Sequence, residues 1–416
     1  MADSSRWWPP VAIAMTLVGW GANQFASMLI FYREDYGFSQ LEVTSMLGIY
    51  VAGLIPALLL GGRISDRMGR KSTTVVALLV TIAASAAMMF GALWALPIYL
   101  GRLLAGVATG AAMAAGTSWI KELSPSSSNP TVSNGSGARR ASLFTAAGFC
   151  LGPVASGMLA NFAPFPATLP YLVHIVLCLP VLLFLLRVPG TKPEALAGNS
   201  TEARIQQYAY EGAQRRFRRV IVPSAPWVFG AGTIGFAVVP NLFANLGEQA
   251  LIYSTVAVAL TLGSGVAVQP IARRLDSTRS ARAILVALGL SVAGLLLALI
   301  CGLFQTPWLA LLACCWLGGG YGLMMVAGLL ETQRLSTPQR LGSATGKFYM
   351  LAYAGFLAPT LLAYLGQWFG LMEMLITVTV LALLCLVVIA LNSKRHLSPL
   401  TGHPTEVAQT GMANKQ

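Results

Sequence analysis

Runs of about twenty mostly apolar residues recur along the chain, each long enough to cross the hydrocarbon core of a bilayer as an α-helix. They fall at roughly 10–31, 42–62, 73–94, 97–121, 141–162, 169–187, 221–244, 249–271, 281–303, 307–330, 344–366 and 370–392, which predicts twelve spans. The longest polar interruption, 188–220, separates six runs from six. The first run is long, has little basic leader beyond Arg6 and is followed closely by a second, so it is expected to be a retained span rather than a cleaved signal peptide. The expected architecture is an all-α membrane protein. It comprises an N-terminal six-helix bundle (1–187), a central loop (188–220), a C-terminal six-helix bundle (221–393) and a tail (394–416).

Composition strengthens this reading. Hydrophobic residues make up 56% of the chain and charged residues only 10%, against about 25% charged in a soluble domain, which excludes a soluble enzyme. The 42 Gly and 22 Pro sit inside the apolar runs, where helices in lipid tolerate them. Lys and Arg are retained on the cytoplasmic side of short loops. With the N-terminus placed inside, all of the 27 Lys and Arg fall in inner segments except Arg33, outside, and Arg102, within a span. Both termini are therefore expected in the cytoplasm, with the chain in the plasma (inner) membrane, and the net charge of +13 needs no nucleic acid to explain it. The central loop ends in the basic run 215–219; with Tyr208, Tyr210 and Phe217 it suits a short helix on anionic lipid. The six cysteines all fall within spans and lack zinc-ligand or disulfide spacing, so they read as small packing residues and no metal is expected. No Gly-rich loop with Lys and Ser/Thr is present, so no nucleotide cofactor is expected.

The halves echo one another. Span 4 has Gly106, Gly110 and Gly116 where span 10 has Gly318, Gly322 and Gly328, at a constant offset, and GFCLGP from Gly148 in span 5 is matched by GFLAP from Gly355 in span 11. After span 2 comes GGRISDRMGRK, in which Gly62 suits close helix approach, Gly69 backbone freedom, and Asp66 an ion pair with Arg67, Arg70 or a nearby helix end. The set Gly62, Asp66, Arg67, Gly69, Arg70 and Lys71 resembles the signature loop of the major facilitator superfamily. The resemblance implies two six-helix bundles around a central cavity, with this loop latching one state of an alternating-access cycle. The second-half loop, QPIARRLDSTR, places Arg273 opposite Asp66 and reads as a degenerate copy, so Asp66 is expected to reach the second half, at span 11.

Two further patterns bear on the cycle. Arg102 with Gly106 and Gly110 is similar to the span 4 pattern of proton-coupled members, where the arginine is linked to proton transfer. An intramembrane arginine is a functional candidate by default, yet Arg102 lies near its helix end, and snorkelling to the outer interface is the competing reading. Gly148, Gly152, Pro153 and Gly157 resemble the span 5 motif of drug and metabolite antiporters, though Ser156 replaces one glycine. Packing alone could require the same residues.

No carboxylate lies mid-span. Glu122 and Glu331 stand at the inner ends of spans 4 and 10, and with Arg102 and Arg140 they are candidates for proton coupling or a breakable charge network. Candidate pocket residues are Trp20, Asn23, Gln24, Tyr50, Trp316, Tyr321 and Tyr353, with His174 a further titratable group. Amides and aromatics without a buried acid suit a neutral or weakly charged amphipathic solute. The expected function is proton-coupled efflux of a small organic solute by a monomer, powered by the proton gradient. Proton-coupled symport or facilitated import of a nutrient, and a non-transporting membrane sensor on the same fold, are the alternatives.

Overall fold

The computed structural model describes residues 7–124, 130–191, 212–243, 246–336 and 341–395. Arg6, Lys192, Arg204, Tyr208, Tyr210, Arg340, Lys415 and nearly all of the tail lie outside the described residues, as does the side chain of Arg139. Among the described residues, twelve helices are long and apolar enough to cross a membrane. They are α1 (Trp8–Tyr36), α2 (Gln40–Met68), α3 (Arg70–Met88), α4 (Ala95–Leu123), α5 (Arg140–Phe162), α6 (Leu169–Arg187), α7 (Gly212–Ala237), α8 (Gly247–Leu275), α9 (Arg282–Leu303), α10 (Pro307–Arg334), α11 (Ala344–Leu365) and α12 (Leu371–Asn392). Since α7 begins at Gly212, the basic run placed in the central loop is the first turns of a helix.

In lipid no water satisfies the backbone, so each segment must close its own hydrogen bonds, which selects helices. Where chain meets water, side chains cap: Ser39 begins α2 with a capping box, its amide donating to Glu42 Oε2 at 2.8 Å while the Glu42 amide donates to Ser39 Oγ at 3.2 Å. Two of the described spans carry a 3₁₀ segment midway. Residues Gln24–Met28 of α1 and Gly355–Leu357 of α11 tighten into 3₁₀ turns, which weakens the helical ladder there.

Burial sorts the helices into centre and rim. The apolar windows of α1 and α7 are 78% and 83% buried, whereas those of α6 and α12 are 28% buried and turn Leu183, Phe184, Leu384 and Leu391 outward. The apolar exterior is what a lipid-facing rim requires. Lipid offers no hydrophobic drive for helix association, so close contact depends on small residues, and the glycines supply it in a repeated pattern. A Cβ on Gly106 or Gly110 of α4 would collide with the carbonyls of Tyr50 or Leu54 in α2; one on Gly318 or Gly322 of α10 would collide with the carbonyls of Thr261 or Gly265 in α8. Likewise Gly148 and Gly152 of α5 seat on the Thr16 and Trp20 carbonyls of α1, and Gly355 of α11 on the Pro226 carbonyl of α7. Even-numbered pairs and odd-numbered pairs repeat across the two halves. Gly62 does not share this role: nothing lies within 4 Å of where its Cβ would stand, and the close approach belongs to Gly61, against Ala114.

This contrast sets a measurement. Gly106→Ala is expected to destabilise the detergent-purified protein by about 1–3 kcal/mol through overpacking against backbone, read as a lower thermal midpoint. Gly62→Ala should leave the midpoint unchanged within about 0.5 kcal/mol. Equal midpoints for the two variants would contradict the close approach at Gly106.

Candidate functional site

A cavity lies where α1, α2 and α5 of the first half meet α7, α8, α10 and α11 of the second. Asn23, Tyr50, Tyr321 and Tyr353 line it, as the sequence leads one to expect, together with Phe229, Phe356 and others that it does not single out. Phe229 of α7 is the hub: its ring stacks on Tyr353 at 4.3 Å between centroids and meets Phe356 at 5.2 Å and Tyr321 at 5.7 Å. The signal that could have found it is the internal repeat, since α7 is the counterpart of α1 and so faces the same axis. Among polar contacts, Asn23 Nδ2 donates to the Phe149 carbonyl at 3.3 Å and Thr233 Oγ1 to the Gly230 carbonyl at 3.2 Å. The cavity holds about 20 Å³, room for roughly one water. A solute therefore enters only when the two halves part.

Three expected pocket residues stand elsewhere. Trp20 and Gln24, four apart and so on one helix face, turn towards α3 and α6, while Asn23 stands about 100° round the helix from Gln24. Trp316 is half-buried and outside the lining.

On the face opposite the termini, called here the far face, contacts between side chains join the halves. Arg33 donates to Gln40 Oε1 at 3.0 Å and to Asn241 Oδ1 of α7. Thr360 Oγ1 of α11 donates to the Thr44 carbonyl of α2 at 2.7 Å. Gly157, the last member of the α5 motif, packs on Thr255 of α8, and Asn161 Nδ2 reaches Thr255 Oγ1 at 3.5 Å. Pro153 lies within α5 between the glycines that seat on α1 and the one that seats on α8.

Arg102 does not snorkel: its side chain is wholly buried. Its guanidinium donates to three main-chain carbonyls, Ala22 at 2.6 Å, Met46 at 3.2 Å and Leu47 at 3.4 Å, and lies over the Tyr50 and Phe25 rings, 4.7 and 5.2 Å from their centroids. Carbonyl dipoles and ring faces take the place of a counter-ion. Ala22 precedes the 3₁₀ break, where the regular helical pairing lapses and a carbonyl can face sideways. Because Tyr50 lines the cavity, Arg102 stands one side chain behind it.

The loop candidates gather on the face of the termini. Gly69 has φ +90°, in the region favouring glycine, and carries the chain from α2 into α3. Asp66 does not reach α11. It pairs with Arg70 Nη1 at 2.8 Å, one turn along, and is 58% exposed, because the nearer cation is within its own loop. Arg70 also donates to Ser65 Oγ at 2.8 Å and, through Nε, to Glu122 Oε1 at 3.3 Å; Glu122 further accepts from Thr191 Oγ1. Lys71 Nζ donates to the Leu186 carbonyl at 2.7 Å, tying α3 to α6, while Arg67 is exposed. Arg140 is not in this network; it lies over the Trp8 ring, 4.4 Å from its centroid.

The second half carries its own cluster. Glu331 of α10 is buried and pairs with Arg216 of α7 and, at 3.2 Å, with Arg334, which also pairs with Asp276 in the α8–α9 loop. The acid of this loop is thus Asp276 rather than a vacancy at Arg273. The register of Gly106 on Tyr50 and Gly318 on Thr261 brings Asp276 close to the place of Asp66, so the copy is less degenerate than the aligned residues imply.

The fold is shared with solved transporters. A peptide transporter, POT, in complex with sulfate superposes with a TM-score of 0.70 at 13% identity, over 94% of this chain and 95% of that one. A D-xylose–proton symporter gives 0.66 at 15% identity over 92% and 96%, and the nucleoside transporter NupG gives 0.66 at 11% identity over 92% and 98%. No curated protein matches in sequence. The family model described as Major Facilitator Superfamily matches residues 11–358. The chain therefore belongs to the Major Facilitator Superfamily, as an integral membrane protein of twelve spans with the fold of a transporter and not an enzyme.

Proposed function

We propose that this protein exports a small, neutral or weakly charged amphipathic organic solute by alternating access, driven by inward proton flow, as a monomer in the inner membrane with both termini in the cytoplasm. The observation that carries the reading is the aromatic cavity at the junction of the halves, with Phe229 stacked on Tyr353 at 4.3 Å and Tyr50, Tyr321 and Asn23 around them. Its lining is apolar with single hydroxyls and an amide, which suits a flat, weakly polar solute entering between rings. The lining contains no acid or base, which disfavours a strongly charged cargo. The span 5 resemblance, now seen as glycines seated on α1 and α8 around Pro153, favours export. Import of a small solute is the second reading, since a D-xylose–proton symporter shares the fold, and flux assays separate the two.

The charge clusters fit a two-state cycle. Asp66, Arg70 and Glu122 tie α2, α3 and α4 on the face of the termini, as Glu331, Arg216 and Arg334 tie α7 and α10. Arg33 and Asn241 with Thr44 and Thr360 join the halves on the far face and must part for release there.

Three outcomes test this. In a pump-deficient host, expression should lower accumulation of at least one amphipathic compound from a broad panel, and a protonophore should restore it; unchanged accumulation across the panel would sink export. Phe229→Ala should raise the half-saturating solute concentration about tenfold or more, of the order expected when a buried aromatic anchor is removed, whereas Trp316→Ala should stay within twofold; the reverse order would move the pocket. Asp66→Asn should cut transport severalfold with the folded yield unchanged, and full activity in that variant would remove the loop from the cycle.

A further inference from the structure

Buried within the first half, beside the cavity, is a chain of polar groups that the transport reading leaves unused. His174 of α6 is fully buried, and both ring nitrogens are engaged. Nε2 lies 2.9 Å from the Leu17 carbonyl and Nδ1 lies 2.8 Å from Ser85 Oγ of α3. Ser85 Oγ in turn accepts from Gln24 Nε2 at 2.8 Å. A carbonyl only accepts, so Nε2 carries a hydrogen. With the amide as placed, Ser85 must then give its hydroxyl hydrogen to Nδ1, and the ring is neutral. This arrangement leaves Gln24 Oε1 without a partner, and Trp20 Nε1 and Thr81 Oγ1 nearby also lack one. Among the described residues, three of the six such buried side-chain atoms, on Trp20, Gln24 and Thr81, thus border this relay. Unpaired buried polar atoms are costly, and Gln24 Oε1 is an acceptor that a different protonation state of the ring could use.

We propose that His174, with Ser85 and Gln24, is the proton-binding site of the transport cycle. The inference rests on the proton-coupled reading above. The step is the addition of H⁺ to the Nδ1 lone pair. Nδ1–H then donates to Ser85 Oγ, whose hydroxyl hydrogen swings from Nδ1 to Gln24 Oε1 once the amide turns over. Oxygen and nitrogen of an amide occupy nearly the same positions, so the turn exchanges the hydrogen-bond pattern of the neutral ring for that of the imidazolium with little movement of heavy atoms. The orphaned Oε1 is the acceptor that the protonated form needs.

The surroundings are consistent with a cation held only part of the time. α1 faces the ring with the Leu17 carbonyl, Gly21 and Trp20, whose ring stacks on the imidazole at 6.4 Å. An aromatic face attracts a cation. α3 offers Ser85, with Thr81 close by, and none of these side chains is titratable. α6 itself adds Cys178, its Sγ 3.5 Å from Nε2, and Tyr171 one turn back, bonded to Tyr32 of α1 at 3.2 Å. α5 carries Cys150, and the buried cation of this half, Arg102 of α4, is bound to the Ala22 carbonyl. Asn23 lines the cavity and its neighbour Gln24 holds the relay, so a solute that displaces the α1 break alters both.

The test titrates the ring itself. The full chain carrying His396→Gln and His403→Gln keeps His174 as its one histidine. Labelled with ¹⁵N-histidine and reconstituted in lipid vesicles, it should show the Nε2–H tautomer at about pH 8 and convert reversibly to imidazolium by about pH 5. Ser85→Ala and Gln24→Leu should each weaken proton binding roughly tenfold, a midpoint displaced by about one pH unit. A ring that stays neutral to pH 5 in the folded protein, or a midpoint that neither variant moves, overturns the site. The two readings fail separately. A ring that titrates in a protein whose solute flux ignores an imposed proton gradient overturns coupling, whereas gradient-driven flux that persists undiminished in His174→Gln overturns the assignment of the proton to this histidine.

Discussion

The contact on which most of this structure depends is glycine against backbone carbonyl. In lipid, apolar side chains gain little by meeting one another rather than acyl chains, so two helices stay together through close van der Waals contact and polar bonds. Gly106 on the Tyr50 carbonyl sets the separation of α4 from α2. Arg102 stands one turn before Gly106 on the same helix, and at that separation its guanidinium reaches the Met46 and Leu47 carbonyls of α2 and the Ala22 carbonyl of α1. A larger residue at Gly106 would push apart the helices whose carbonyls hold the charge. The arginine and the glycine are therefore one device, and the centre of the first half is stiff there.

The second half uses the same separation rule without the arginine. Gly318 and Gly322 seat α10 on α8, and the space that a guanidinium occupies in the first half has no counterpart cation among the described residues of that contact. Instead the buried charge of the second half sits at the face of the termini, where Glu331 meets Arg216 and Arg334. A paired cluster near water is cheaper to break than a carbonyl-bound cation in mid-bundle. The asymmetry therefore favours movement at the helix ends and rigidity around Arg102.

The spans, their number and the division into six and six were legible because a bilayer imposes a length and a polarity on every segment, and Val, Leu and Ala runs report both. The signature loop was legible because the glycine with φ +90° at Gly69 and the acid at Asp66 are both demanded by a tight charged turn. What the sequence could not supply was azimuth. Whether Gly61 or Gly62 faces α4, and whether Trp20 or Asn23 faces the cavity, depends on the rotation of a helix that is apolar on nearly every side. Of the two readings of Arg102, snorkelling fails for a related reason: distance from a helix end locates a residue along the membrane normal, but the side chain is wholly buried against α1 and α2, so depth from the end was not exposure. Phe229 escaped notice because a phenylalanine in a long apolar run carries no local signal; only its helix's place in the repeat marks it.

The break in α1 links these observations. A continuous α-helix sets neighbouring residues about 100° apart, so Asn23 and Gln24 would face different sides in any case, but the 3₁₀ turns from Gln24 to Met28 loosen the ladder between them and free the Ala22 carbonyl for Arg102. One short segment thus touches the cavity through Asn23, the buried cation through Ala22 and the histidine relay through Gln24. The 3₁₀ segment of α11, Gly355–Leu357, sets Phe356 into the aromatic cluster and seats Gly355 on α7. Both interrupted helices contribute to the cavity lining, Asn23 from α1 and Tyr353 and Phe356 from α11, and neither 3₁₀ segment lies in the glycine-sealed contacts of α4 on α2 and α10 on α8. A solute wedged between Tyr50 and Phe229 would push on the segments least bound by their own hydrogen bonds, and the displacement would pass to Gln24 before it reached the rigid pairs behind.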